Sequence, residues 1–223
     1  MEEEPPNISE EISVDTAPPR RAPVQLRSQQ TVQRVLDAAS ALLQRVSLEE
    51  ITTTRIAEEA GLSIGALYRF FPDKQSIIDA IAVRHVEQFK AGVEPKLLKL
   101  AVREAATFKK FDPAVLLNAV IDAYVVYLDA HPDFRTISFG RHISAATKER
   151  EASPQVGLPG LLKKFIVRRL GLADSAELDL RLRVVSEAGE RLIVYAYEQG
   201  TCDERDRVIA EMKRMLARYL FAA

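Results

Sequence analysis

The amino-acid sequence predicts an all-α protein with two parts, a small N-terminal head of three helices and a larger helical body. Apolar residues recur every three or four positions along most of the chain, as they do on one face of an α-helix. Glycine and proline fall between these stretches, where helices end. The 223 residues are 47% hydrophobic, which is enough to bury a core. We divide the chain into a disordered tail over residues 1–28, a head over 29–89 and a body over 90–223.

The tail is expected to be disordered because of its composition. Its first 23 residues contain six acidic side chains and five prolines. Such a segment cannot bury enough apolar surface to offset the entropy lost on folding.

The first expected helix of the head covers residues 29–46. Its apolar side chains repeat at the spacing of one helix face. They are Val32, Val35, Leu36, Ala39, Leu42, Leu43 and Val46.

A pair of short helices is expected over residues 52–71. The first has an apolar face formed by Ile56, Ala57 and Ala60, and Thr53 is its expected N-cap, because a hydroxyl accepts from the free backbone N–H groups. Gly61 suits the left-handed residue that ends this helix.

The second helix of the pair is expected to begin after Ser63, another hydroxyl cap, and to end at Pro72. Its small residues Gly65 and Ala66 suit a helix that presses closely against another molecule. Two short helices joined by a tight turn that contains glycine form a helix-turn-helix, which places its second helix in the major groove of DNA.

Residues 61–74 read Gly-Leu-Ser-x-Gly-Ala-Leu-Tyr-x-x-Phe-x-x-Lys. This segment resembles the signature of TetR-type transcriptional regulators, and the resemblance is specific over about residues 31–89. The sequence departs from the commonest family pattern at Phe70, where histidine is frequent. A phosphate contact is therefore not expected from Phe70.

The candidate DNA-binding residues fall into two groups by chemical reach. Hydroxyls and an ammonium group near helix starts suit phosphate contacts, which set position. These anchors are Thr52, Thr53, Tyr68 and Lys74. Base edges are the expected partners of Thr54, Arg55, Ser63, Ile64, Gly65, Ala66 and Arg69, among which Ile64 or Ala66 offers apolar contact to thymine methyl groups. Arg20, Arg21 and Arg27 at the end of the tail form either an arm for the minor groove or a solvated linker.

Asp73 is the expected cap of a longer helix that runs to about residue 91. In the resembled family this helix joins the head to the body. His85 lies on its inward side, so we expect a buried, hydrogen-bonded histidine, with a sensor of pH or ligand as the alternative.

The body is expected to begin near Glu94 and to hold five helices. An almost wholly apolar helix over residues 114–128 is followed by helices over 134–143 and 160–170, with a partly mobile connection over 145–159. Asp174 with Glu177, and Asp203, are the expected caps of the two long helices that end the chain.

Apolar stripes on the last two helices suit a self-complementary interface. In the resembled family these helices form a four-helix bundle across a two-fold axis, so a homodimer is expected. The candidate interface residues are Val185, Ala188, Gly189, Leu192, Ala196, Val208, Ile209, Met212, Leu216 and Leu220. The alternative is that both stripes fill the core of one protomer.

The resemblance also implies that a small apolar or amphipathic effector binds in the body and shifts the separation of the two heads. The hypothesis places a cavity around the central helix, with core packing or a solvated edge as the alternative for each residue. The candidate ligand residues are Asn118, Asp122, Tyr124, Leu128, Phe134, Ile137, Phe165 and Tyr195.

The sequence contains no recognisable catalytic motif. Its three histidines and single cysteine show no spacing typical of metal ligands, so neither a metal nor a cofactor is expected. No signal peptide and no long apolar run is present, which predicts a cytoplasmic protein without a membrane partner. The net charge of −1 indicates no general coating of nucleic acid but does not exclude a local basic surface.

The expected function is therefore that of a DNA-binding transcriptional regulator and not of an enzyme. We expect a homodimer that binds a palindromic operator on double-stranded DNA and represses transcription until an effector releases it. The alternative is a factor that binds DNA constitutively, or under the control of a partner protein, with a packed body that holds no ligand.

Overall fold

The computed structural model describes residues 22–105 and 112–221, which form ten α-helices and one 3-10 turn, with no strand among them. The helices are α1 (Ala22–Leu43), α2 (Thr53–Glu59), α3 (Ile64–Tyr68), α4 (Lys74–Ala105), α5 (Ala114–Ala130), α6 (Pro132–Phe139), α7 (Ala145–Glu151), α8 (Leu158–Leu170), α9 (Ala176–Tyr197) and α10 (Cys202–Phe221), and the 3-10 turn is Leu48–Glu50.

The head consists of α1, α2, α3 and the first turns of α4, packed around a shared apolar core. Val35, Ile56 and Leu67 are almost completely buried there. Arg34 on α1 holds the end of α2, because its guanidinium donates to the carbonyl oxygens of Ala60 and Gly61. A cation is favourable at this position because the carbonyl groups at a helix C-terminus carry partial negative charge.

Helix α1 begins at Ala22, seven residues before the expected start. Pro23 lies in its first turn, where the missing backbone N–H of proline has no partner to lose. The expected tail over residues 1–28 is therefore helical from residue 22, and Arg27 lies within α1. The rest of that tail, with Arg20 and Arg21, lies outside the described residues.

Helix α4 joins the head to the body. We expected it to end near residue 91, but it continues to Ala105 with Pro95 inside it. Val93 and Leu97, on either side of Pro95, are buried in the core, so packing maintains the helix where proline removes one backbone hydrogen bond. A helix of this length spans about 48 Å at 1.5 Å per residue.

The body surrounds α5, whose Leu116, Val120 and Leu128 are buried. Helices α4, α6 and α10 pack against it, and α9 packs along α10. The prediction of a mobile connection over residues 145–159 is wrong for its first half. Residues 145–151 form α7, capped by the Ser144 hydroxyl, which accepts from the Thr147 N–H.

Other boundaries also differ from the sequence-based expectation. Helix α6 covers Pro132–Phe139 and not residues 134–143. Helix α3 ends at Tyr68 and not near Phe71. Ser175, not Asp174, caps α9, since its hydroxyl accepts from the Leu178 N–H, and the Asp174 carboxylate pairs with Lys163 at 2.6 Å. Thr201, not Asp203, caps α10, since its hydroxyl accepts from the Glu204 N–H.

The expected burial of His85 is confirmed. The residue is 3% exposed, with Nδ1 at 2.8 Å from the Tyr127 hydroxyl and Nε2 at 3.0 Å from Asp133 Oδ2. Its ring stacks on Phe134 of α6. His85 therefore joins α4 to α5 and α6 at the junction between the head and the body.

Within the described residues no single helix meets the length and hydropathy expected of a membrane span, and only α5 and α6 together, bent by 106° at their junction, do so.

Candidate nucleic-acid interface

The short helix α3 presents an exposed face to solvent. Ser63 caps it, since its hydroxyl accepts from the Ala66 N–H at 3.2 Å. Leu67 points into the core and is fully buried, whereas Ile64 is 39% exposed and Tyr68 is 49% exposed. The outward face of α3 is therefore largely apolar.

Helix α2 supports α3 through a pair of hydroxyl groups. The Thr53 hydroxyl lies 3.0 Å from the Tyr68 hydroxyl. The expected cap of α2 was Thr53, but Thr52 caps it and accepts from the Arg55 N–H at 3.2 Å. Thr53 is thus free of the cap and fixes the orientation of Tyr68.

Two of the candidate cations make intramolecular hydrogen bonds. The Arg55 guanidinium donates to the Glu50 carbonyl oxygen at 3.0 Å, and the Lys74 ammonium donates to the Leu48 carbonyl oxygen at 3.1 Å. Both bonds tie α2 and α4 to the 3-10 turn before α2.

The remaining candidates differ in exposure. Thr54, Ser63, Gly65 and Arg69 are exposed, and Ala66 is half-buried. Gly61 has φ 63°, which confirms the expected left-handed residue at the turn between α2 and α3.

The body contains a cavity of about 450 Å³ between α4, α5, α6, α8, α9 and α10. Four aromatic rings line it, those of Phe89, Tyr124, Phe134 and Phe139. Aliphatic side chains from α5, α8 and α9 form a further part of the wall, and polar residues of α6, α7 and α9 also line it. An apolar cavity of this volume is typical of small-molecule sites.

Only two of the eight candidate ligand residues, Tyr124 and Phe134, line this cavity. Leu128, Ile137 and Phe165 are buried in the core instead. The remaining three lie elsewhere: Asp122 pairs with Lys213, Tyr195 is 46% exposed, and Asn118 has a buried side-chain oxygen without a hydrogen-bond partner.

Sequence reasoning missed most of the cavity wall, including Phe89, Phe139 and Leu182. Their helices are far apart in the chain, and no local pattern distinguishes a wall residue from a core residue. The sequence feature that could have identified Phe89 and Phe139 as wall residues was the aromatic content of α4 and α6.

Polar groups on the cavity wall are mostly hydroxyls and paired charges. Burial raises the pKa of the Tyr124 phenol above its ordinary value, so the hydroxyl remains protonated. Lys148 and Glu190 form an ion pair at 3.4 Å. The lining therefore offers hydrogen-bonding groups, among them Glu151 Oε2, which is buried without a hydrogen-bond partner.

Six of the ten candidate interface residues are buried inside one protomer and cannot contribute area to a subunit contact. They are Val185, Ala196, Ile209, Met212, Leu216 and Leu220. Val185, Gly189, Met212 and Leu216 line the cavity. Ala188, Gly189, Leu192 and Val208 are partly exposed.

A different apolar face is exposed on α9 and α10. Its large side chains are Leu180, Val184, Tyr195, Met215 and Tyr219, exposed by 38–55%. We call these five residues the α9–α10 face. The stronger apolar stripe of each helix fills the protomer core, and the weaker stripe forms this face.

The described residues contain no group of three or more His, Cys, Asp or Glu side chains placed to hold a metal ion.

The paired short helices, the glycine turn and the exposed face of α3 define a helix-turn-helix protein. Two family models match the chain: that of the bacterial regulatory proteins of the tetR family over residues 35–81, and that of the tetracyclin repressor-like C-terminal domain over residues 112–220. The chain belongs to the TetR family.

The relatives agree with this assignment. The chain is 39% identical over 135 residues, 60% of its length, to the nucleoid occlusion factor SlmA of Haemophilus ducreyi, and the match spans 62% of that relative. A TetR-family transcriptional regulator from Streptomyces coelicolor has a TM-score of 0.63 at 26% identity, covering 85% of this chain and 97% of that one. A TetR regulator from Rhodococcus sp. RHA1 has a TM-score of 0.62 at 18% identity, covering 87% and 98%.

Proposed function

We propose that the protein is a homodimeric, sequence-specific regulator that represses transcription from a palindromic operator and is released by a small apolar or amphipathic effector. The observation that carries the proposal is the outward face of α3. Ile64 and Tyr68 are exposed on a helix that α2 supports through Thr53, in a family of bacterial regulatory proteins. A recognition helix enters the major groove with its N-terminal residues towards the bases.

The α9–α10 face supports the dimer. Its five large apolar side chains are each at least 38% exposed and lie on two helices that pack against each other, and clustered exposed apolar side chains mark interaction sites. A two-fold contact through this face gives two copies of α3, which is what a palindromic site requires.

The cavity supports the effector. It lies against Val86 and Phe89 of α4, the helix whose first turns belong to the head. A ligand that prefers one position of α4 changes DNA affinity by the ratio of its affinities for the two states.

Selection of bound duplexes from a random pool tests the DNA-binding proposal. We expect a palindromic consensus that the purified protein binds with a Kd of roughly 10⁻⁸–10⁻¹¹ M, at least a thousandfold tighter than random duplex. Enrichment of no sequence, or of a single half-site only, would contradict it.

A screen of apolar and amphipathic compounds tests the effector. A compound present at 100 times its Kd should stabilise the protein by about 2.7 kcal/mol and weaken operator binding. Val120→Phe, which fills part of the cavity, should abolish both responses, whereas Val126→Phe on the exposed side of the same helix should keep them. Equal responses in the two variants would place the compound elsewhere.

A second candidate is a DNA-bound factor that needs no small-molecule effector. The identity to nucleoid occlusion factor SlmA favours it. This candidate expects no compound in the screen to change operator affinity or melting temperature.

A further inference from the structure

We propose that Ile64 reads the C5-methyl group of a thymine in the major groove, so that one base pair in each half-site is recognised by a methyl group and not by hydrogen bonds. This inference rests on the proposed DNA-binding function and specifies how the outward face of α3 selects a DNA sequence.

Ile64 is the first residue of α3, directly after the cap Ser63. The N-terminal residues of a recognition helix are those that contact base edges. An isoleucine side chain that is 39% exposed at this position has no apolar neighbour to cover it fully within the protomer. Ile64 therefore has apolar surface that only a partner can bury.

Three polar side chains of the helix-turn-helix make hydrogen bonds within the protein. The Ser63 hydroxyl accepts from the Ala66 N–H, the Tyr68 hydroxyl pairs with Thr53, and the Arg55 guanidinium donates to the Glu50 carbonyl oxygen. Side chains held in this way are poorly placed for the bidentate contacts to guanine or adenine that specify those bases.

Gly65 permits the approach that a methyl contact needs. A Cβ atom built at Gly65 would meet no protein atom within 4 Å, so packing within the protomer does not require glycine there. The absent side chain leaves the backbone of α3 open to the groove beside Ile64. Van der Waals contact with a methyl group requires a carbon–carbon separation of about 4 Å.

Thymine is the one standard base that displays an apolar group in the major groove. The partner of Ile64 is therefore thymine, and 5-methylcytosine carries its methyl group at the same ring position. Burial of one methyl group changes an equilibrium constant about fourfold. The effect on a palindrome is about fifteenfold when both half-sites are altered.

The experiment uses the full chain and a duplex obtained by selection from a random pool. Each symmetric pair of thymines, one in each half-site, is replaced by uracil in turn, which removes both methyl groups and keeps the base pairs. We expect one symmetric pair of positions at which uracil weakens binding about fifteenfold. At the same positions, 5-methylcytosine should bind about fifteenfold tighter than cytosine.

The variant Ile64→Ala should bind the thymine and uracil duplexes equally, while Ile64→Val should retain part of the discrimination. Val126→Ala, which removes exposed apolar surface from α5, is the matched control and should discriminate as the wild type does. Circular dichroism verifies that each variant keeps its helix content.

Two results would overturn the inference: uracil has no effect at any position, or its effect persists in Ile64→Ala. In both cases specific binding to the selected duplex remains, so the proposed function stands. If the selection enriches no sequence, the proposed function fails first, and the inference fails with it.

Discussion

Tyr68 is held by an intramolecular hydrogen bond in the free protein, and this bond decides how its contribution to DNA binding is measured. The hydroxyl lies 3.0 Å from the Thr53 hydroxyl and the ring is 49% exposed. Tyr68→Phe should weaken binding to operator and random duplex by about the same factor, because a phosphate contact carries no sequence information. Fluorescence anisotropy with both duplexes measures this.

Thr53→Val separates positioning from direct contact. The substitution keeps the shape of Thr53 and removes only the partner hydroxyl, so it should weaken binding less than Tyr68→Phe. A loss confined to one base pair in Tyr68→Phe would show that this residue reads sequence and does not anchor the backbone.

Asp133 is a buried carboxylate at the junction of head and body, and its titration makes stability depend on acid pH. Burial raises the pKa of Asp133, but hydrogen bonds from His85 and Ser40 and the attraction of His85 outweigh burial and lower it from 3.8 to about 2. A depressed pKa contributes stability above pH 4 that is lost as the pH falls towards 2, about 2 kcal/mol in all.

Urea unfolding at a series of pH values between 5 and 2 should reveal this loss in the wild type. Asp133→Asn keeps the shape but does not titrate, so its free energy of unfolding should fall by about 2 kcal/mol less over the same range. Ser40→Ala removes one of the hydrogen bonds to the carboxylate and should give an intermediate slope. Equal slopes in all three chains would contradict the assignment.

Single residues were predicted well where local chemistry allows one choice. Gly61 and Ser63 are the only suitable residues at their positions, and both behave as expected. Thr52, Thr53 and Thr54 are each able to cap α2, so the sequence alone could not select Thr52. The selection comes from a tertiary contact, because Tyr68 on α3 engages Thr53.

At the scale of the element, α3 contains a glycine that its own fold does not require. A methyl group at Gly65 or at Gly92 on α4 would meet no protein atom within 4 Å. Alanine is a better helix former than glycine by up to about 1 kcal/mol, so neither Gly65→Ala nor Gly92→Ala should lower the melting temperature. Of these two variants only Gly65→Ala should weaken operator binding, because Gly65 lies on α3 beside Ile64 and Gly92 lies on α4.

Calorimetry and anisotropy on the two glycine variants provide the comparison, with Gly92→Ala as the matched control. Operator binding by Gly65→Ala as tight as that of Gly92→Ala would mean that DNA does not approach α3 at Gly65. A lower melting temperature in Gly65→Ala alone would mean that the glycine serves the fold of the head.

The spacing of apolar residues predicts that the elements are α-helices and where most of them lie. It does not predict where a helix ends, or whether an apolar stripe packs into the core or remains exposed. Pro95 would normally end α4, and only the burial of Val93 and Leu97 shows why the helix continues. The apolar stripe of α10 that includes Met212 and Leu216 suits either a core or a subunit contact. Three-dimensional packing assigns it to the core, which leaves Met215 and Tyr219 exposed.

In the whole molecule, the head and the body meet along α4. The Arg84 guanidinium donates to Asp37 and Ser40 on α1, and the Gln75 amide donates to the His142 carbonyl oxygen at 2.7 Å. Burial raises the pKa of Asp79, but hydrogen bonds, first among them that from the Ser144 N–H, outweigh burial and lower it.

These contacts connect the cavity with the head. His142 and Ser144 flank Ile143, which lines the cavity, so its wall is one residue away from contacts to the first turns of α4. On the proposed function, an effector that moved this segment would change the contacts that fix α4. This coupling requires both parts of the chain, and neither the head nor the body alone contains it.

The proposed homodimer is tested at the scale of the whole molecule by a charge placed on the α9–α10 face. Val184, 38% exposed on the α9–α10 face, would become charged in Val184→Glu, and a buried unpaired charge at a subunit contact is costly. We expect sedimentation velocity to show a monomer. Affinity for the palindrome should fall by on the order of 10²–10⁴, because the second half-site no longer benefits from the first.

Val126→Glu is the control for this substitution, because Val126 on α5 is 67% exposed, more than Val184, and lies outside the α9–α10 face. The control should remain a dimer with wild-type affinity for the palindrome. Since the same charge is added to an exposed valine in both variants, a difference in mass assigns the contact to α9 and α10. Dimers in both variants would instead require that the two protomers be held together through another surface.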